Sequence, residues 1–350
     1  MLYLKEIDLF DRPDLFGMFQ EQKPGHEMNE TEFKKYKAGL VEQLSGANLS
    51  TDKNQAVTYV FYSQGDHPLG LVTIKPNLDE SLVKESGNLE FWLRPSERSE
   101  SLETALLSLA LSKAKLLGMK EVFLLSDEGN VASLKAIKNK GGIKISDDKN
   151  NIYKITLWNE DLSETIKKLE EFFEINAPEF ELIVIDSREE LDLLYGKKTE
   201  NWTAGFAGFN RIGFIRPDKL EALSIHKKES HPKRMIHEMS HLFYNKCSDD
   251  SRRPAWLNEG LASYLADQKG KEFSLEEKIA APDFFADQGQ LVYRVGYYTV
   301  KTLLDKFGKD KLLELIKRMT KDINEEDFNK HFFEIYGFEF TKEELRKVIG

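Results

Sequence analysis

Residues 237–241 read His-Glu-Met-Ser-His, two imidazoles four positions apart with a carboxylate directly after the first. On a helix, that spacing is close to one turn, so both rings project to one side and reach a single metal ion. Neutral imidazole is a good zinc ligand. Glu238, a step around the helix, faces a metal-bound water rather than the metal and can act as its base. Seven histidines are spread over 350 residues, and in such a chain the pattern arises by chance in about one sequence in a hundred. The bland alternative is a pair of solvated histidines on a helix surface.

A catalytic zinc site takes three protein ligands and leaves one position to water. Two downstream residues are candidates for the third. Cys247 lies close to the pair in sequence, but Tyr244 stands where a glycine would let the chain turn back. Glu259 lies in "PAWLNEGLASYLA", residues 254–266. On a helical wheel Glu259 and Ser263 project together, opposite Leu257, Leu261, Tyr264 and Leu265. Around the histidines, Met235, Ile236, Met239, Leu242 and Phe243 form an apolar stripe roughly opposite His237 and His241. The two helices therefore share a plan, with apolar backs and a polar ligand pair in front. A site of His237, His241 and Glu259 follows if the fronts face each other; an exposed helix carboxylate is the alternative for Glu259.

The elements that must position these residues begin with a strand in "FELIVIDS", a helix in "REELDLLYG" and one Gly-rich apolar strand over 202–215. From 232 onward nearly everything reads as helix. Upstream, "AVTYVFYSQ", "PLGLVTIKP", "NLEFWLRP", "EVFLLS" and "IYKITLW" read as strands. Helices are predicted over "ETALLSLALSKAKLLG" and "NVASLKAIKNKGG". The expected fold class is α+β with two domains, 1–158 and 159–350. The first is a mixed sheet with flanking helices, and the second is a small sheet followed mostly by helices.

The paired motifs "HEMSH" and "WLNEGLASY", in this order, resemble the gluzincin zinc metallopeptidases, most closely the aminopeptidase and leukotriene hydrolase branch. The resemblance covers roughly 180–350 and implies a zincin-like domain. It implies His237, His241 and Glu259 as zinc ligands and Glu238 as catalytic base. A Tyr-x-x-Gly in that family supplies an oxyanion donor, here Tyr293 with Gly296; Tyr297 and Tyr298 are its neighbours and alternatives. Ser263, or another nearby polar group, could orient a ligand from behind. The family's Gly-x-Met-Glu-Asn strand, which grips a substrate amino terminus, is absent. "TAGFAGFN" stands upstream instead and could pair as an edge strand with an extended peptide.

Residues 87–142 resemble GNAT acetyltransferases, and the order of elements extends the likeness over about 1–157. The resemblance implies an acetyl-CoA site using Arg98, Ser101 and Asn130, the last from Asn-x-Ala-Ser. In that family a glycine-containing loop and a helix N-terminus cradle the pyrophosphate. Here the loop reads Arg98-Ser-Glu-Ser101-Leu-Glu103, with both glycine positions filled, and the usual tyrosine acid falls at Ile137. Glu103 would bring negative charge to the phosphate side of the helix start. Acetyl-CoA is therefore expected to bind weakly or not at all.

The chain carries a net charge of −10, with 40% hydrophobic and 31% charged residues. That balance is globular and argues against nucleic acid as a partner, which needs a basic face. One cysteine permits no intramolecular disulfide, and no apolar run resembles a signal peptide or membrane span. The expectation is a cytoplasmic zinc metallopeptidase acting on peptide or protein, with no membrane partner and an oligomeric state the sequence does not specify. The competing readings are an acetyltransferase whose second domain only binds peptide or protein, and a non-catalytic interaction protein.

Overall fold

The structure is a computed structural model and describes all residues except 1, 11, 13, 23–27, 46–54, 127–128, 146–150, 270–273, 286–288, 290 and 350. Met1, Asp11 and Pro13 of the N-terminal stretch, and Asp127 and Glu128 within the acetyltransferase-like stretch, thus lie outside the described residues. The fold is mixed α+β and divides into two compact units. The first comprises 1–159, 181–204 and 213–225, and the second 160–180, 205–212 and 226–350. The sequence puts everything after 158 into one domain, whereas in the structure 181–204 and 213–225 group with the first unit.

In the first unit, strands Tyr3–Glu6, Val57–Tyr62, Pro68–Ile74 and Leu89–Leu93 form an antiparallel sheet in that order. Every residue of Val57–Tyr62 is buried, so this central strand is covered on both faces and reads as a continuous apolar run. Helices Leu15–Gln22 and Glu30–Ser45 contribute Met18, Phe19, Phe33 and Leu40 to a cluster against Val60, Tyr62 and Leu71. Helix Glu100–Leu116 also packs on this sheet. Strands Glu121–Leu125, Ile152–Thr156 and Ile143–Lys144 form a second antiparallel sheet in that order. It meets the first sheet where Asn88 N–H donates to Phe123 O at 2.9 Å and Asn88 Oδ1 accepts from Phe123 N–H at 2.7 Å.

The reason 181–204 belongs to this unit is electrostatic as well as apolar. Lys140 is buried and its ammonium donates to Val184 O at 2.8 Å and to Glu190 Oε1 at 2.7 Å. Asp186 lies 2.9 Å away, and Ser108 also donates to Glu190. Buried ions persist only when paired and hydrogen-bonded, so these contacts tie the segment to the first unit's helices.

The predicted single strand over 202–215 is two strands, Gly205–Gly208 and Arg211–Ile215. Phe209 and Asn210 between them have φ of 53° and 55°, the left-handed pair that closes a two-residue hairpin. Asparagine tolerates that region, whereas phenylalanine gives no sequence signal for it, and so the turn is invisible to a reading of the sequence.

The second unit is mostly helical. Its principal helices are Ser163–Phe173, His231–Cys247, Ala255–Leu265, Leu291–Phe307, Lys309–Lys317, Glu325–Tyr336 and Lys342–Ile349. Trp256 is fully buried, stacked on Phe340 at 4.9 Å between ring centroids and edge-on to Phe328 at 6.1 Å. Among the described residues no helix is long and apolar enough to cross a membrane.

Candidate metal centre

Helix His231–Cys247 carries Pro232 in its first turn, where a missing N–H costs nothing. Met235, Met239, Leu242 and Phe243 are buried on its apolar side. His237 is buried too, at 8% exposure, while Glu238 and His241 are part-buried. The histidine face is therefore covered by protein rather than open to solvent, and strand Gly205–Gly208 packs beside this helix.

In helix Ala255–Leu265, Trp256, Leu257, Gly260, Leu261, Ala262 and Ser263 are all buried, while Asn258, Glu259 and Tyr264 are part-buried. One side is closed by helix Leu291–Phe307. A Cβ on Gly260 would lie 2.3 Å from the Gly296 carbonyl carbon, and one on Gly296 would lie 2.2 Å from Trp256 O. Neither position has room for any side chain, so the two backbones touch here as only glycine allows. The crossing sits next to Glu259 on one helix and one turn after Tyr293 on the other. The Tyr293 ring lies beside His237, 5.9 Å between centroids. Tyr297 packs instead against Tyr264 and Tyr298, and Tyr298 lies under the Lys278 ammonium.

Three predicted ligands come together. Glu259 Oε2 is 3.4 Å from His237 Nε2 and 3.5 Å from His241 Nε2, and the three ligand atoms fall within 4.8 Å of one another. These separations are long for good hydrogen bonds, and Glu259 Oε2 is buried with no hydrogen-bond partner. Tetrahedral bonds to zinc of the usual length separate adjacent donors by about 3.3–3.4 Å, and both separations from the orphaned oxygen are close to that spacing. Cys247 is not among the three; it is half-buried near the helix end, where burial pushes its thiol up.

The partner that orients His241 is Asn258, where the sequence names Ser263 or another nearby polar group. Asn258 Oδ1 accepts from His241 Nδ1–H at 2.6 Å, which leaves the Nε2 lone pair for a metal. The signal is present in "LNEG", since a carbonyl one residue before a ligand can reach back to the neighbouring helix.

The electrostatics match a cation site. Burial works to lower the His241 pKa, but the Glu259 carboxylate overcomes it, with help from Glu238 and Asn258, and raises the value to about 9. Burial works to raise the Glu259 pKa, and the two histidines instead hold it well below the usual carboxylate range. Without a metal, the pocket therefore collects a proton between its bases. Zinc competes for the same lone pairs.

The acetyltransferase-like residues have local jobs. Arg98 donates to Leu93 O and to Gln22 Oε1, both at 3.3 Å. Ser101 sits in the first turn of helix Glu100–Leu116, whose N-terminus Ser99 caps by accepting from Leu102 N–H. Asn130 caps helix Val131–Asn139 by accepting from Ser133 N–H at 3.2 Å. Glu103, in the first turn of helix Glu100–Leu116, is buried at 5% exposure with Oε2 unpartnered. Burial raises its pKa, against the pull of Arg98. Ile137 is fully buried.

No protein-family model matches the chain, and no curated protein matches it. Similar solved structures align with its N-terminal part and are acetyltransferases. One, from Vibrio cholerae, is described as a candidate ribosomal-protein-serine acetyltransferase; at 13% identity and a TM-score of 0.35 it covers 44% of this chain and 93% of its own. A mutant form of the Vibrio cholerae spermidine N-acetyltransferase SpeG is 12% identical with a TM-score of 0.33, covering 45% of this chain and 94% of its own. The Campylobacter jejuni N-acetyltransferase PseH, in complex with acetyl coenzyme A, is 12% identical with a TM-score of 0.32, covering 46% and 100%. These likenesses span less than half of this chain and leave the candidate metal centre without a counterpart.

Proposed function

We propose that the second unit is a zinc-dependent hydrolase of peptide bonds, with His237, His241 and Glu259 as ligands. The observation that carries this reading is the convergence of Glu259 Oε2 on both histidine Nε2 atoms at 3.4 and 3.5 Å. The bound ion would supply Lewis acidity and an acidified water. Glu238, on the histidine helix, takes the proton of the attacking water and returns it to the leaving amine. Tyr293, beside His237, donates its hydroxyl to the oxygen that gains charge as the carbonyl is attacked. Asn258 keeps His241 in the tautomer that ligation needs. The edge strand Gly205–Gly208, next to the histidine helix, suits an extended peptide laid alongside it. Peptide or protein is therefore the partner we assign, and the cytoplasm is the compartment we expect for this acidic chain with its single cysteine.

The test is metal content and peptide hydrolysis in matched variants. Wild type should hold one zinc per chain, and Glu259→Ala or His237→Ala should lose it. Glu238→Gln should keep zinc and lose turnover, because an amide cannot accept the water proton. Undiminished zinc in Glu259→Ala, with loss in Cys247→Ser, would move the third ligand to Cys247.

A second reading concerns the first unit, whose solved neighbours are acetyltransferases. It is acetyl transfer from acetyl-CoA, with the second unit as a peptide-binding module. Against it, the helix start is already capped by Ser99 and followed by the buried carboxyl of Glu103. Calorimetry should find weak acetyl-CoA binding or none. Micromolar affinity in the wild type would put this reading first.

A further inference from the structure

The metal-site helix carries a charged side chain that the hydrolytic scheme does not use. Arg234 precedes His237 by three residues and Glu238 by four, so all three share one face. It is part-buried. Among the described residues it forms no ion pair and no hydrogen bond. Burial lowers its pKa, while the negative character of Glu238 and Tyr293 pulls the other way, so the guanidinium lies within the electrostatic reach of both proposed catalytic groups.

A guanidinium stays charged in protein and offers five donors in a planar fork. Withdrawing it from water without an anion is costly, and its neighbour Glu238 is engaged with water in the proposed chemistry. The other cations of this helix differ. Lys233 is exposed and pairs with Asp267 at 2.8 Å, and Lys246 donates to Asn176 O at 3.0 Å. Arg234 alone of the three is turned to the ligand face with its donors unspent.

We propose that Arg234 binds a carboxylate of the substrate, either a chain-terminal carboxylate or an acidic side chain near the scissile bond; this rests on the hydrolase reading above. A monoanion fits better than a phosphate, since the Glu238 carboxylate on the same face repels the second charge. One helical turn separates Arg234 from His237 and Glu238, about 5 Å along the axis. An extended peptide advances about 3.3 Å per residue. The recognised carboxylate therefore belongs to a residue one or two positions from the bond that is cut. Arg234 acts as a specificity-determining residue, touching the part of the substrate that does not react.

The experiment is calorimetry on the zinc-loaded full chain in a Glu238→Gln background, where the peptide stays uncut. Matched peptides are offered with a free terminal carboxylate or a carboxamide, and with an internal Glu or Gln. Either carboxylate form should bind about 10- to 100-fold tighter than its neutral counterpart, the effect of charge-assisted hydrogen bonds. A preference confined to the terminal pair would identify the α-carboxylate as the source, and one confined to the Glu/Gln pair the side chain. Adding Arg234→Gln should erase the preference, and Arg234→Lys should keep part of it. Equal affinity for charged and neutral forms, or a preference that survives Arg234→Gln, would overturn the proposal. The charged-versus-neutral comparison needs no Arg234 variant, so a misfolded variant does not rescue the idea. Hydrolysis by the chain without the Glu238 change is scored separately. Carboxylate preference with no turnover would sink the hydrolase reading on which this proposal rests, and turnover without carboxylate preference would sink this proposal alone.

Discussion

Replacing Gly296 by alanine sets two opposing effects against each other, and the structure says which wins. Both helices at the crossing are regular there, so propensity alone favours alanine over glycine by about 1 kcal/mol. The added Cβ would sit 2.2 Å from Trp256 O, 2.8 Å from Gly260 Cα and 3.0 Å from Gly260 N. All three are backbone atoms, which no rotamer change can move. A carbon meets an oxygen comfortably at about 3.3 Å, so the helices must part by roughly 1 Å. Overpacking of a tight interior costs about 1–3 kcal/mol, and an unyielding neighbour belongs at the upper end. Net of propensity, the loss is about 1–2 kcal/mol, or a melting temperature lower by roughly 2–8 °C for a unit of this size.

Function should suffer more than stability. The parting moves Tyr293, one turn from the new Cβ, away from His237. A misplacement of about 1 Å in a positioned catalytic group costs on the order of 100-fold in rate. The ligands lie on the other two helices, so zinc content should hold. Gly260→Ala is the contrasting variant, since its Cβ would press the Gly296 backbone from the residue that adjoins Glu259 and should weaken zinc as well. Thermal denaturation, metal content and peptide turnover on the three proteins read these effects independently. A Gly296→Ala protein about 1 kcal/mol more stable than wild type, with full turnover, would refute the reasoning, because it would mean propensity alone governs the site.

Asn258→Ala should leave the fold intact and weaken zinc binding about 10- to 100-fold in a chelator competition, because His241 loses the partner of its Nδ1–H. Lys140→Met should destabilise the first unit by about 3 kcal/mol or more in denaturant unfolding, since it leaves Asp186 and Glu190 without their central cation. The pH dependence should reverse with metal. In chelated protein the His241 pKa is raised to about 9 from 6.5. Its stabilisation is therefore complete below about 6.5 and lost as pH rises through 9, and the melting temperature should fall over that window. In zinc-loaded protein the ligands must be deprotonated, so the melting temperature should rise from acid to neutral pH. Parallel slopes for the two forms would contradict a shared set of lone pairs.

What can be read in the sequence is whatever local spacing encodes. The four-position spacing of His237 and His241 sets their common face without knowledge of anything else, and the helical period places Met235, Met239 and Leu242 inward. Glu259 is within reach because its motif follows on the adjacent helix. What cannot be read depends on pairs distant in the chain. The contact of Gly260 with Gly296 joins residues on two separate helices, and nothing in either glycine announces the other. Lys140 reads as a surface lysine at a helix end until Asp186 and Glu190 close over it, and that closure is why 181–204 departs from the expected domain. The hairpin at Phe209 and Asn210 is hidden for a different reason, since its turn uses no glycine at the positive-φ positions.

The helical wheel over Ala255–Leu265 leaves one question open. It ranks positions by polarity, and a polar side can face either another helix or water. Glu259 and Ser263 do share a side, yet Ser263 is buried at 2% exposure and Glu259 Oε2 is out of solvent with no hydrogen-bond partner. A face that serves a metal must be polar enough to bind and buried enough to keep water from competing, so periodicity alone cannot tell it from a solvated face. The distinction lies in satisfaction. A solvated carboxylate meets water on all its lone pairs, whereas Glu259 keeps one oxygen aimed at the point its two histidine neighbours also face. That unspent oxygen, more than the motif, is the physical argument that the three side chains are assembled for a cation.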